Sequence, residues 1–278
     1  MRVLVASEAD EASRAQRDAL LELASWSEDA RFEGLPTWRR GDLWLVTIAE
    51  HHLYRDRLDE TIAGHFGGPP ELLVYLSKHR SESGTPSLTV HPIGNLGSAD
   101  FGGLARTLVP AAARAMTAAL RALRREAAGL KYNVTFEATH HGPYLATPTF
   151  YIEQGSTERE WADREAARAI ARTLLGLEPV DAPIAIGIGG GHYVPRHTDV
   201  ALERRVAFGH LLPAYALPSV DEAMLAQAVD ASRATLAYVH RKSVSKPEAR
   251  RLEERLEALG VKVVREADLA TEASTKDS

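Results

Sequence analysis

The chain has 278 residues, 45% of them hydrophobic, and a formal net charge of −5. That length lies near the upper limit for one hydrophobic core, and the acidic balance argues against DNA or other broad nucleic-acid binding while leaving room for a local basic patch. There is no cysteine, which excludes disulfides and thiolate metal sites, so a transition metal would have to be held by His, Asp or Glu.

The segment Val3–Ala6 reads as a strand, and an Ala-rich helical stretch follows from Asp10 to Ser25. Leu43–Ile48, Leu72–Leu76 and Ser87–His91 are apolar or β-branched runs bounded by Gly, Pro and Ser, the pattern of buried strands. Helical spacing runs from Leu104 to Leu130, with Pro110 as a kink or a first turn. Tyr132–Thr139 alternates as a strand, and Thr149–Glu153 is a second β-like run. Thr157 and Glu160 form a capping-box pattern opening a helix to Leu175. Pro183–Ile188 and Thr235–Val239 read as strands, Pro247–Leu259 as a helix closed by Gly260, and Val261–Val264 as a final strand. Alternating strands and helices predict an α/β fold with a mostly parallel or mixed central sheet flanked by helices, as one domain over 1–268 followed by a polar, frayed tail over 269–278. The first residues lack the apolar stretch of a signal peptide and no apolar run is bilayer length, so the expectation is a cytoplasmic protein without a membrane partner, a monomer.

The segment richest in chemistry is Gly187–Asp199, where Gly189, Gly190 and Gly191 run into His192, Arg196, His197 and Asp199. A dinucleotide fingerprint is excluded by His192 at the sixth position and by Pro195, expected to disrupt a helix; a P-loop is excluded by the lack of lysine. What remains is a backbone able to approach a ligand and donate N–H groups, with His192, His197 and Asp199 beside it. Glu137–Pro143 is a second constellation: Glu137, Thr139 and His141 share one strand face and His140 the other, so both histidines reach one site only if the strand ends there. A third, Ser77–Asn95, carries Lys78, His79, Arg80 and Ser81 after an apolar strand, a setting able to receive phosphate, and reaches His91 before a proline. Of the 11 histidines, His51, His79, His91, His140, His141, His192, His197 and His210 fall at strand ends or in loops, where open α/β sheets build their ligand crevices. His52 and His65 read as surface residues.

Taken together, Ser77–Asn95, Glu137–Pro143, Glu153–Thr157, Gly187–Val200, Gly209–Pro213 and Asp230–Lys242 closely resemble, in order, the archaeal and plant type of D-aminoacyl-tRNA deacylase. One departure is His240, where an aspartate is expected before Arg241 and Lys242. The resemblance implies a phosphorylase/peptidyl-tRNA hydrolase-like fold, zinc as cofactor, and hydrolysis of the ester joining a D-amino acid to tRNA. Such a reaction needs an activated water and donors for an oxyanion. The expected catalytic groups are His141, His192 and His197 with Glu137 or Asp199. His140 and His210 join His141, His192, His197 and Asp199 as candidate metal ligands. Lys78, His79, Arg80, Ser81, His91, Arg196, Thr198 and the loop glycines are candidate substrate contacts, with Arg241 and Lys242 as further tRNA backbone contacts.

Overall fold

The structure is a computed structural model describing residues 1–82 and 84–272. In chain order its strands are β1 (Arg2–Ser7), β2 (Ser27–Phe32), β3 (Leu35–Arg40), β4 (Leu43–Ile48), β5 (Leu72–Arg80), β6 (Ser87–His91), β7 (Gly94–Asn95), β8 (Thr107–Leu108), β9 (Asn133–Phe136), β10 (Thr149–Ser156), β11 (Ile184–Ile188), β12 (Ala207–Leu212), β13 (Leu236–Val239) and β14 (Lys262–Val264). The helices are α1 (Glu11–Leu23), α2 (Leu58–Phe66), α3 (Ala113–Glu126), α4 (Glu158–Trp161), α5 (Arg164–Leu175), α6 (Pro195–Glu203), α7 (Glu222–Ser232) and α8 (Lys246–Ala258). An eight-stranded mixed sheet has the order β2-β3-β4-β1-β5-β10-β6-β9, and a four-stranded sheet, parallel throughout, has the order β12-β11-β13-β14.

Both faces of the large sheet are covered, which is why its central strands are apolar at consecutive positions. Leu4, Val74 and Ile152 face α1, α3 and α5 through Leu20, Leu120 and Ile170. Val3, Val5, Tyr75 and Tyr151 face the other way, toward Leu58 and Ile62 of α2. The small sheet packs Ile186 and Ile188 against Leu225, Val229, Leu252 and Leu256 of α7 and α8. No described helix is long and apolar enough to cross a membrane.

Several local expectations change. The helix expected over Leu104–Leu130 starts only at Ala113, because residues before it are spent on pairing: β8 pairs with β7, and Ala111 bridges to Thr149. The helix expected from Thr157 is two: Glu160 Oε2 accepts from the Thr157 N–H at 3.1 Å as the capping box requires, then Asp163 caps a new start, accepting from Glu165 N at 2.9 Å. Pro195 does not break a helix but opens α6, a position where its missing N–H costs nothing. The hairpin β2–β3, α2, β12 and α7 were not predicted. Of the expected tail, Leu269 is buried, Ala270 O accepts from Arg205 N at 2.8 Å and Thr271 bridges Arg204, so the fold continues to Glu272; 273–278 lie outside the described residues.

Candidate active site

Neighbouring strand ends bring the functional groups onto one face of the large sheet. In the β5–β10–β6 register Tyr151 stands opposite Tyr75 and His91, Glu153 opposite Ser77 and Thr89, and Gly155 opposite His79. Paired residues point to the same face, so Tyr75, Tyr151, His91, Glu153 and His79 form one patch. Gly155 is required there: a Cβ at this position would lie 2.3 Å from the His79 carbonyl oxygen and 2.7 Å from its Cβ. Glu137 follows β9 and is brought alongside by the end of the glycine loop, since Glu137 bridges Tyr193 and Ala138 N donates to His192 O at 2.8 Å. His140 and His141 both reach the patch because the strand ends before them. His141 adopts a left-handed φ of 45°, which turns its ring to 4.3 Å from that of His140.

Glu137 is the centre of the cluster. Its Oε2 lies 2.9 Å from His192 Nε2 and 3.6 Å from His140 Nε2, and its Oε1 lies 3.0 Å from His79 Nδ1. Despite these approaches, both Glu137 oxygens are fully buried without an aligned hydrogen bond. Glu153 Oε2 lies 3.4 Å from His79 Nδ1, and its Oε1 lies 3.6 Å from His91 Nε2. Burial opposes charge on all of these groups, yet the carboxylates win at His79: Glu137 and Glu153 raise its pKa to about 11, and Glu153 raises that of His91. Burial would raise the carboxyl pKa values, but His192 and His79 hold Glu137 well below the usual carboxylate range, and His79 and His91 hold Glu153 below it. Burial, with the charge on His91, lowers His140 far below the ordinary histidine value and His141 to about 3.

The donor set fits a divalent metal. His91, His140 and His141 each point Nδ1 at a main-chain oxygen, Pro92 O at 3.1 Å, Ala138 O at 2.8 Å and Gly142 O at 2.7 Å. A carbonyl can only accept, so Nδ1 carries a proton, and in the neutral imidazole Nε2 then presents a lone pair, the arrangement common around metal-bound histidine. The ligand atoms of His91, His140 and His141 lie within 4.8 Å of one another, as do those of His79, Glu137 and His192, and of His91, Glu137 and Glu153. Two buried carboxylates require compensating positive charge. Protons on His79 and His91 can provide it, and so can a cation on nitrogen and oxygen donors of the kind zinc accepts.

His79, His140, His141, Glu153 and His192 of this cluster form the floor of a cavity of about 660 Å³ whose other lining residues include His51, Lys78, Arg80, Ser81, Phe101 and Trp161. Lys78 Nζ sits 5.1 Å from the centre of the Trp161 ring. His192 is the cluster member most open to it, with its side chain 43% exposed. Behind the floor, the Tyr151 ring is parallel to that of His91 at 5.1 Å, and Tyr151 Oη is 3.2 Å from His52 Nδ1, so His52 is buried rather than superficial.

Not every expected residue is here. His197 is buried on α6 under the glycine loop against Phe208, Tyr238 and His240, and Asp199 is exposed on the same helix. His210 is spent structurally, its ring nitrogens at 3.1 Å from Thr139 Oγ1 and 3.0 Å from Val109 O. Thr198 Oγ1 accepts from Phe136 N at 3.0 Å. Gly189 N donates to Leu212 O and Gly190 N to Ser243 Oγ, both at 2.8 Å, so these two N–H groups are not oxyanion donors; Gly191 is exposed. Arg196 pairs with Glu266 and lines a separate cavity of about 440 Å³ with Arg241 and Lys242. Glu153 and Tyr193, whose Oη is 2.7 Å from His79 Nε2, belong to the site and were not singled out as such from sequence.

The fold and this cluster define an α/β protein with a buried histidine–carboxylate cluster beside an open cavity. Residues 66–264 match the family profile of D-aminoacyl-tRNA deacylase. Proteins named D-aminoacyl-tRNA deacylase from Methanosarcina barkeri and Thermococcus kodakarensis are 38% and 37% identical to 96% of this chain, covering 90% and 100% of their own lengths. The crystal structure of a conserved protein of unknown function superposes with a TM-score of 0.90 at 33% identity, over 97% of this chain and 96% of that one. The chain belongs to the D-aminoacyl-tRNA deacylase family.

Proposed function

We propose that this protein hydrolyses the ester between a D-amino acid and the 3′ end of tRNA at the Glu137–His192 cluster, with zinc held among its histidines and carboxylates. The observation that carries the reading is the pairing of family membership with a buried carboxylate, Glu137, whose oxygens face three histidines at the floor of an open cavity. His91, His140 and His141 would hold the metal through Nε2, with Glu137 and Glu153 as the adjoining carboxylate donors. When bound, such a metal supplies Lewis acidity and a water of lowered pKa.

The chain's own groups account for the remaining work. His192 is open to the cavity and its Nε2 faces the Glu137 carboxylate at 2.9 Å, which leaves Nδ1 to take a proton from the attacking water and return it to the ribose oxygen that leaves. Tyr193 and Glu153 fix His79, which keeps positive charge beside the developing oxyanion. Lys78 and Arg80, at the lip, meet the phosphates next to the reacting end. Water attacks the ester carbonyl, the carbonyl–ribose oxygen bond breaks, and the products are a free D-amino acid and a tRNA 3′ hydroxyl. The test is to compare release of D-amino acid from tRNA with release from a small D-amino-acid ester, and to assay bound metal. Efficient turnover of tRNA ester alone, with metal present, supports the reading; turnover of small esters or amides alone, with tRNA ester untouched, overturns it.

A further inference from the structure

Five large apolar or aromatic side chains are markedly exposed among the described residues: Tyr54, Phe101, Leu104, Tyr215 and Leu259. Scattered singly, such residues carry no message. Here two of them, Phe101 and Tyr215, stand on segments tied to the active site. Phe101, 63% exposed, lines that cavity, and its carbonyl accepts from Gly142 N at 3.0 Å, next to His141. The adjoining Gly102 packs against the His51–Tyr54 turn so closely that a Cβ would meet Leu53 O at 1.8 Å and Tyr54 Cδ1 at 3.5 Å. Tyr215, also 63% exposed, follows Ala214, whose N–H donates to Gly190 O at 2.9 Å, two residues before His192.

We propose that Phe101, lining the cavity, and Tyr215, anchored beside the glycine loop that carries His192, are stacking platforms for the unpaired nucleotides at the 3′ end of tRNA. This rests on the function proposed above and adds how the RNA is held. An ester carried by the last ribose can reach the floor only if the nucleotides preceding it cross the rim. Unpaired bases each present a π face, and aromatic side chains hold them without regard to sequence, as an enzyme serving many tRNAs requires. Lys78 and Arg80 at the same cavity supply the charge complement for the connecting phosphates. Phe101 and Tyr215 themselves touch no reacting atom, and their loss should act on binding.

The experiment measures binding of deacylated tRNA with its unpaired 3′ nucleotides intact and with them trimmed, alongside steady-state hydrolysis of D-aminoacyl-tRNA. Phe101→Ala and Tyr215→Ala should each weaken binding of intact tRNA by about fivefold or more, raise KM correspondingly, and leave kcat and binding of trimmed tRNA unchanged. Phe101→Tyr and Tyr215→Phe should bind as the wild type does. Alanine variants within twofold of wild type on intact tRNA, equal losses on trimmed tRNA, or a fall in kcat at constant KM would overturn the proposal. Wild-type protein that binds tRNA but releases no D-amino acid would count against the function alone, and the two binding constants would still judge the stacking.

Discussion

Glu137 Oε2 and His192 Nε2 lie 2.9 Å apart, yet Glu137 is wholly buried while the His192 side chain is 43% exposed. The pair thus links the dry floor of the site to the open cavity. Glu137→Gln keeps the shape and removes the charge that orients His192 and would hold a metal. It should cut turnover at least ~100-fold and weaken metal binding by about 10–100-fold. Retained metal and near-normal turnover would refute this role; metal content and single-turnover rates decide it. His192→Ala should be equally inactive, since it removes the group that faces both Glu137 and the cavity.

His197 and His210 should behave in the opposite way. Both are buried away from the cluster, and alanine at either should cost about 2–4 kcal/mol through a cavity and, at His210, through lost hydrogen bonds. Folded protein should keep its activity. Urea unfolding of each variant, with turnover measured below the transition, tests the distinction.

Acid sensitivity follows from the same two residues. Burial, with His240 adding to it, lowers the pKa of His197 to about 3, and burial lowers that of His210 to about 4. Their unfolded values are near 6.5, so the unfolded chain binds more protons and stability falls as pH drops below 6.5. Each contributes a slope of about 1.4 kcal/mol per pH unit down to its folded pKa. His140 and His141 act with the same sign, so His197→Ala should flatten the profile between about pH 6.5 and 5 by one histidine's share. An unchanged slope would show that His197 is not held neutral.

Two glycines offer a matched pair. Gly155→Ala forces a Cβ to within 2.3 Å of the His79 carbonyl oxygen, and the strand must shift under His79. A loss of about 1–3 kcal/mol and a clear fall in turnover are expected. Gly64 lies inside α2, where an added methyl group would meet nothing within 4 Å, so Gly64→Ala should stabilise by about 0.5–1 kcal/mol without touching activity. Thermal melts with assays on both variants check the contrast.

The histidines and Glu137 were legible because they follow strands, and strand ends converge at a ligand crevice in an open α/β sheet. Glu153 was not, because a β-like run does not show which of its residues face a site; its burial comes from β10 lying between β5 and β6 with no solvent face. His197 misled for a related reason: Pro195 reads as an interruption, but it starts α6 and rotates His197 inward, away from His192. Gly189 and Gly190 looked free to bind a ligand, while their N–H groups close the joint between the loop and its neighbours Leu212 and Ser243. These outcomes depend on tertiary pairing that local spacing does not carry.

The activity proposed for the Glu137–His192 cluster is stereospecific ester hydrolysis. It is tested most directly by giving purified protein matched D- and L-aminoacyl-tRNA, bearing the same side chain on the same tRNA, and following release of the amino acid with wild type and Glu137→Gln. The expected result is rapid release from the D-ester alone, lost in the variant. Equal rates on both esters, no release from either, or an unimpaired variant would contradict the account.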